Sequence, residues 1–145
     1  MVKSAHIDTF ANDNLPDNSS WPELILNHPT ATYPKRLNAS YELLEKTIEL
    51  VGPNKSAIIA ADGNFTYGEL LELVNKISNY LVAEGVAPGN RIAIRSPNNA
   101  MAVAIWLSIL RVGAIAVTTI PLQRAVELAK IVEIGRSEER RVGKE

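Results

Sequence analysis

The chain has 145 residues, 46% apolar and 21% charged, with Lys+Arg 15 against Asp+Glu 16 for a net charge of −1. That is room for one ordinary domain or one piece of a larger one, in the composition of a globular rather than a disordered chain. Nothing in the near balance of charge argues for nucleic acid or an anionic membrane as partner, and the lack of cysteine excludes disulfides, thiolate metal sites and cysteine nucleophiles.

Residues 1–37 are polar and rich in Asn and Pro; Pro16, Pro22, Pro29 and Pro34 forbid a long helix. An extended arm is predicted, docked on the body through the sticky patch "WPELIL" at 21–26, by Trp21 and residues 24–26. No apolar run near the N-terminus could serve as a signal-peptide core, so a cytoplasmic location is expected. The longest apolar stretch, 100–110, is interrupted by Ser108 and stops at Arg111. It falls short of the roughly 20 residues a membrane span needs.

"NASYELLEKTIELVGP" at 38–53 predicts a helix capped by Asn38, with Tyr41, Leu44, Ile48 and Val51 on one face and a stop at Gly52-Pro53. "SAIIAADGNFTY" at 56–67 predicts a hairpin: an apolar strand at 57–60, turn chemistry at Asp62-Gly63, and a return beginning at Phe65. A helix follows from Thr66, which with Glu69 forms a capping box. Its buried stripe is Leu70, Leu73, Val74, Ile77 and Leu81; Glu72, Asn75, Lys76 and Asn79 face water, and Gly85 ends it.

Residues 91–96, "RIAIRS", read as a strand that alternates apolar and basic positions, closed by Pro97-Asn98-Asn99. "AMAVAIWLSILRVG" at 100–113 is apolar nearly all round, which predicts a helix buried on most sides. The continuous apolar run at 114–120 predicts a strand covered on both faces, ended by Pro121, and 127–134 begins another helix. Strands alternating with helices define an α/β fold, here a partial parallel sheet flanked by helices. The last helix is barely two turns long with no strand after it, so the domain is expected to be incomplete.

Candidate chemistry is sparse. There is no G-x-G-x-x-G and no phosphate loop, and His6 and His28 stand 22 positions apart without a carboxylate at ligand spacing. No histidine accompanies a serine placed to act as a nucleophile. Arg91, Arg95 and Arg124 could meet an anion at strand ends, although solvated or ion-paired arginine is the simpler reading. Trp106 reads as core, with pocket lining as the alternative. Folds of this class place ligands at the C-terminal ends of parallel strands, which locates a pocket without naming a residue. No catalytic, nucleotide-binding or metal-ligating residue is assigned.

Over residues 21–134 the sequence resembles the start of the AMP-forming acid–CoA ligases of the adenylate-forming superfamily. The resemblance rests on "FTYGELLELVNKISNYL", "GVAPGNRIAIRSPNNA", "AIWLSILRVGAIAV" and "PLQRAVEL". Within the superfamily it is similar to the benzoate– and 2-aminobenzoate–CoA ligases, which carry a Trp-Pro arm, a segment like Tyr33-Pro34-Lys35-Arg36-Leu37-Asn38, and a stretch like "IPLQRAVEL". What the resemblance implies is an enzyme that takes a carboxylic acid and ATP to an acyl-adenylate, with Mg²⁺, and then to a thioester with CoA. The family's phosphate loop, its acidic ribose ligand and its C-terminal lysine have no counterpart in these residues. ATP, CoA and Mg²⁺ therefore belong to the parent enzyme, and tight binding to this chain is not expected. The alternative is a self-contained small α/β nucleotide-binding or protein-interaction module.

The remaining segment, 136–145, reads "RSEERRVGKE", with seven of ten residues charged and neither helical nor strand patterning. All ten positions match one reading frame of a common sequencing-library adapter. The expected organisation is an arm at 1–37, an incomplete AMP-binding N-terminal domain at 38–135, and a non-native tail at 136–145.

Overall fold

The computed structural model describes residues 4–23, 25, 28, 33, 34 and 36–136. The N-terminal segment holds one helical turn, α1 (Phe10–Asp13), and a single 3-10 turn at Asn18–Ser20. In chain order follow α2 (Ala39–Leu43), α3 (Glu45–Val51), β1 (Ser56–Ala60), β2 (Gly63–Thr66), α4 (Tyr67–Ala83), β3 (Arg91–Arg95), α5 (Ala100–Arg111), β4 (Ile115–Thr119) and α6 (Ala125–Gly135).

Among the described residues, the N-terminal segment docks through Ile7 and Asp8 and not through Trp21 or Ile25. Trp21 is 46% exposed and gives its indole N–H to the Pro16 carbonyl at 3.0 Å, and Ile25 is exposed. Positions 24 and 26 lie outside the described residues. The amides of Ile7 and Asp8 instead both donate to the Pro88 carbonyl at 3.0 Å. The crossing requires glycine at 89, where φ is +92° and a Cβ would sit 2.1 Å from the Asp8 carbonyl oxygen.

The helix expected over 38–51 is two pieces, broken at Leu44, whose φ and ψ are −105° and −70°. Asn38 caps it as expected, accepting from the Ser40 and Tyr41 amides at 3.1 and 3.2 Å. Its Nδ2 also donates to the Arg111 carbonyl at 2.9 Å, and the Arg111 guanidinium reaches Glu45 at 2.5 Å. These ties hold α2 and α3 against the end of α5 and turn Ser40 and Leu44 inward. Tyr41 and Val51, which the periodicity puts on the buried face, are exposed.

The hairpin forms through the two-residue loop 61–62, with Ala60 opposite Gly63. The capping box forms too: the Glu69 amide donates to Thr66 Oγ1 at 3.3 Å, and the Thr66 amide to the Glu69 carboxylate at 2.8 Å. β3 and β4 pair in parallel, Arg91 opposite Ile115 through Arg95 opposite Thr119, with α5 as the crossover. The α/β class is as expected, but the parallel sheet contains these two strands, and β1 pairs with β2 in a separate antiparallel sheet. The tight turn satisfies β1 locally, and a gap opens between β1 and β3.

α5 is the spine. Ala104 and Leu107 join Leu44, Leu70 and Val74 in one buried cluster, while Ile109 joins Ile94 and Ala114 in a second. Ser108, the interruption in the apolar run, is fully buried where α5 meets α4. Its hydroxyl lies 2.7 Å from the Ala104 carbonyl and 3.2 Å from that of Val74, so the polar group is satisfied inside the core.

Candidate functional site

The gap between β1 and β3 is a cavity of about 660 Å³, walled by β1, by the C-terminal ends of β3 and β4, and by the first two turns of α5. This is the pole at which parallel strands present ligand sites. Ile58, Ile59, Ile94, Val103 and Trp106 give it apolar walls. Trp106 is 37% exposed and lines this space, so the pocket-lining alternative holds and the core reading does not. For the same reason α5 is open on one face, with Met101 and Val103 exposed as well.

Local hydrogen bonds fix the walls. Asn99 caps α5 by accepting from the Ala102 amide at 2.8 Å. Asp62, in the hairpin loop, accepts from the Ala100 amide with both carboxylate oxygens, at 3.2 and 3.1 Å, and so ties the β1 wall to the α5 wall. Thr119 donates its hydroxyl to the Ile94 carbonyl at 2.9 Å, stitching the ends of the two parallel strands. Among the described residues, the Asn98 side-chain amide and the Thr118 hydroxyl, both in the cavity lining, make no hydrogen bond within the chain and are polar groups open to a ligand.

None of the lining residues carries a titratable side chain. Such a cavity binds by apolar contact and neutral hydrogen bonds, and it supplies no group for proton transfer.

The histidines and arginines singled out in the sequence lie elsewhere. His6 is half-buried beside Gly89 and His28 is exposed. Arg95 donates through Nη2 to the Pro121 and Gln123 carbonyls at 2.8 and 3.0 Å. Arg124 gives its amide to the Glu127 carboxylate at 2.7 Å at the start of α6. Arg91 is ion-paired with Asp8. The Asp8 carboxyl is held below its ordinary value first by that arginine and then by hydrogen bonds from Phe10 N–H and Asn90, against the opposing pull of burial. Sequence reasoning missed the β1 wall and the Asp62 cap; the only signal for the latter was an aspartate next to the hairpin glycine.

Parallel strands bridged by a helix and opening at their C-terminal ends onto an apolar bay define an α/β unit with a cavity where this class of fold places ligands. The chain belongs to the family described as AMP-binding enzymes, whose sequence pattern matches residues 46–138. It is 40% identical over 86 residues to an acetyl-coenzyme A synthetase of Magnetococcus marinus, covering 55% of this chain and 13% of that one. To a medium-chain fatty-acid–CoA ligase of Escherichia coli it is 31% identical over 81 residues, covering 55% and 14%. The chain thus spans about a seventh of the length of these relatives. Among solved structures, the anthranilate CoA ligase AuaEII in complex with anthranoyl-AMP superposes with a TM-score of 0.67 at 26% identity, over 72% of this chain and 20% of that one.

The residues lining the cavity do not fit a magnesium-bound nucleoside triphosphate. The cavity offers no cation to the phosphates and no carboxylate to a metal. Among the described residues no group of three or more His, Asp or Glu could hold a metal ion, and no helix is long and apolar enough to cross a membrane.

Proposed function

We propose that the chain is the opening portion of the large N-terminal domain of an ATP-dependent acid–CoA ligase, acting on an aryl acid such as benzoate or 2-aminobenzoate. The observation that carries the reading is the likeness to the anthranilate CoA ligase, which extends over 72% of the chain. The segment at 33–38 and the stretch at 120–128 support it. On this reading the parent enzyme works in the cytoplasm, where ATP and CoA are supplied. It activates the carboxylate as an acyl-adenylate with Mg²⁺ and transfers the acyl group to the CoA thiol. The residues that stabilise charge on the transferring group lie in later parts of the polypeptide. Residues 1–37 serve as an arm, 38–135 as part of the AMP-binding domain, and 136–145 as translated adapter.

The chain alone is expected to release no pyrophosphate from ATP with Mg²⁺ and benzoate. Its exposed Ile59, Leu122, Val126 and Ile134 favour self-association. The deciding experiment reads the source DNA past codon 135, expresses the continuous frame and assays acid-dependent pyrophosphate release. Faster turnover of benzoate or 2-aminobenzoate than of acetate or octanoate is expected. The reverse order would overturn the aryl assignment, and a protein that activates none of them would overturn the ligase reading.

A further inference from the structure

Arg91 and Arg95 stand four positions apart on one face of β3, about 13 Å at the rise of a strand. Between them lies Ala93, which adds no bulk. α6, eleven residues long, measures about 16 Å. Arg95 holds the Pro121 and Gln123 carbonyls in the turn leading into α6. Arg91 donates from Nε to the Gly135 carbonyl at 2.9 Å, at the far end of the same helix, and from Nη2 to the carbonyl of Arg136 at 3.1 Å, a backbone bond that does not depend on which residue follows Gly135. The helix therefore runs antiparallel to β3 with one arginine at each end.

This polar fastening matters because the packing of α6 is thin. None of its residues is buried; Leu128, Ile131 and Val132 are half-buried, and Val126 and Ile134 face solvent. A helix C-terminus leaves its last carbonyls without intrahelical donors, and a cation there also meets the negative end of the helix dipole. Arg91 answers both needs.

The same guanidinium holds the N-terminal segment. Its Nη1 pairs with the Asp8 carboxylate and donates to the Gly89 carbonyl at 2.9 Å, and its Cζ lies 4.8 Å from the Phe10 ring centroid. Asn90 Nδ2 adds a bond to Asp8 at 3.0 Å. A guanidinium is a rigid planar fork whose donors cannot turn independently. The partner that fixes Nη1 therefore also sets the plane in which Nε and Nη2 point at α6.

We propose that Arg91 and Arg95 form a two-point clasp that seats α6 on the parallel strands, and that Arg91 makes this seating depend on the docking of residues 6–13. The clasp sits on the opposite pole from the cavity at its Arg91 end and reaches the cavity side at Arg95, so the N-terminal segment sets the position of the element that follows β4.

Hydrogen–deuterium exchange on the whole 145-residue chain at low micromolar concentration, read by peptide mass, tests this. Gly89→Ala evicts residues 6–8 while keeping the Arg91 side chain and its charge, and Arg91→Lys keeps the charge but loses the fork. Each is expected to speed exchange about tenfold both in 5–14 and in 124–136, with α4 still protected. Arg95→Lys should loosen the start of α6 and leave 5–14 unchanged. The proposal is overturned if Gly89→Ala or Arg91→Lys loosens 5–14 alone, if α4 loosens equally, or if 124–136 shows no protection in the unaltered chain.

Discussion

Asp62→Ala is expected to lower the stability of the fold by about 1.5 kcal/mol, from about 1 kcal/mol for a lost N-terminal acceptor and about 0.5 kcal/mol for a lost charge at the positive end of α5. The carboxylate is solvent-exposed, so the charge part is small, yet its two oxygens are what the Ala100 amide has. Asp62→Asn retains an acceptor and drops the charge, and should cost only about 0.5 kcal/mol. Raising the ionic strength should narrow the gap between the unaltered chain and Asp62→Asn, because only the charge part is screened. Urea unfolding read by tryptophan emission measures all three. Trp106 lies on the α5 wall and lines the space between it and the β1 wall that Asp62 joins to it, and a Trp21→Phe background removes the other indole. Equal losses in the Ala and Asn variants, or no loss in either, would refute the view that this carboxylate clamps the hairpin to α5.

Leu44→Ala should cost about 3 kcal/mol, because Leu44 is 1% exposed and fills the break between α2 and α3, while Leu44→Met should cost under about 1.5 kcal/mol; the shift in urea midpoint at constant slope checks both. The docking of the N-terminal segment should weaken in acid. The Asp8 carboxyl is depressed below its ordinary 3.8, so its contribution is fully present above that pH and is lost as pH falls through the lower folded value. Exchange in 5–14 measured at pH 5 and again well below pH 3.8 should show the loss, and Asp8→Asn should abolish the difference.

Local rules carried much of the fold. The Asn38 cap, the Thr66–Glu69 box, the two-residue hairpin loop and the stripe through Leu70 and Val74 follow from spacings of a few residues, which the chain cannot satisfy in many other ways. What sequence reading missed depends on distant partners. Asp8 and Arg91 are 83 positions apart, and nothing distinguishes that carboxylate from its neighbours until the backbone of residues 6–8 is laid over Gly89. Tyr41 and Val51 satisfy helical periodicity, but the bonds from Asn38 and Glu45 to Arg111 rotate the helix away from it. Trp106 sits in a run so uniformly apolar that no pattern tells its open side from its covered one. The site was legible only as a pole of the sheet, since hydroxyls, amides and aliphatic walls leave no spaced motif.

Since α5 contributes to both buried clusters, there is no seam along which the polypeptide could be divided into self-sufficient halves. A piece ending after α4 would leave Leu44 and Val74 wet where Ala104 and Leu107 now cover them. A piece starting at β3 would strip Leu81 and Val86 from around Ile109. Any cut meant to give complementing fragments belongs outside 38–119, in the N-terminal segment or beyond Thr119, where strands and helices can be parted without opening either cluster.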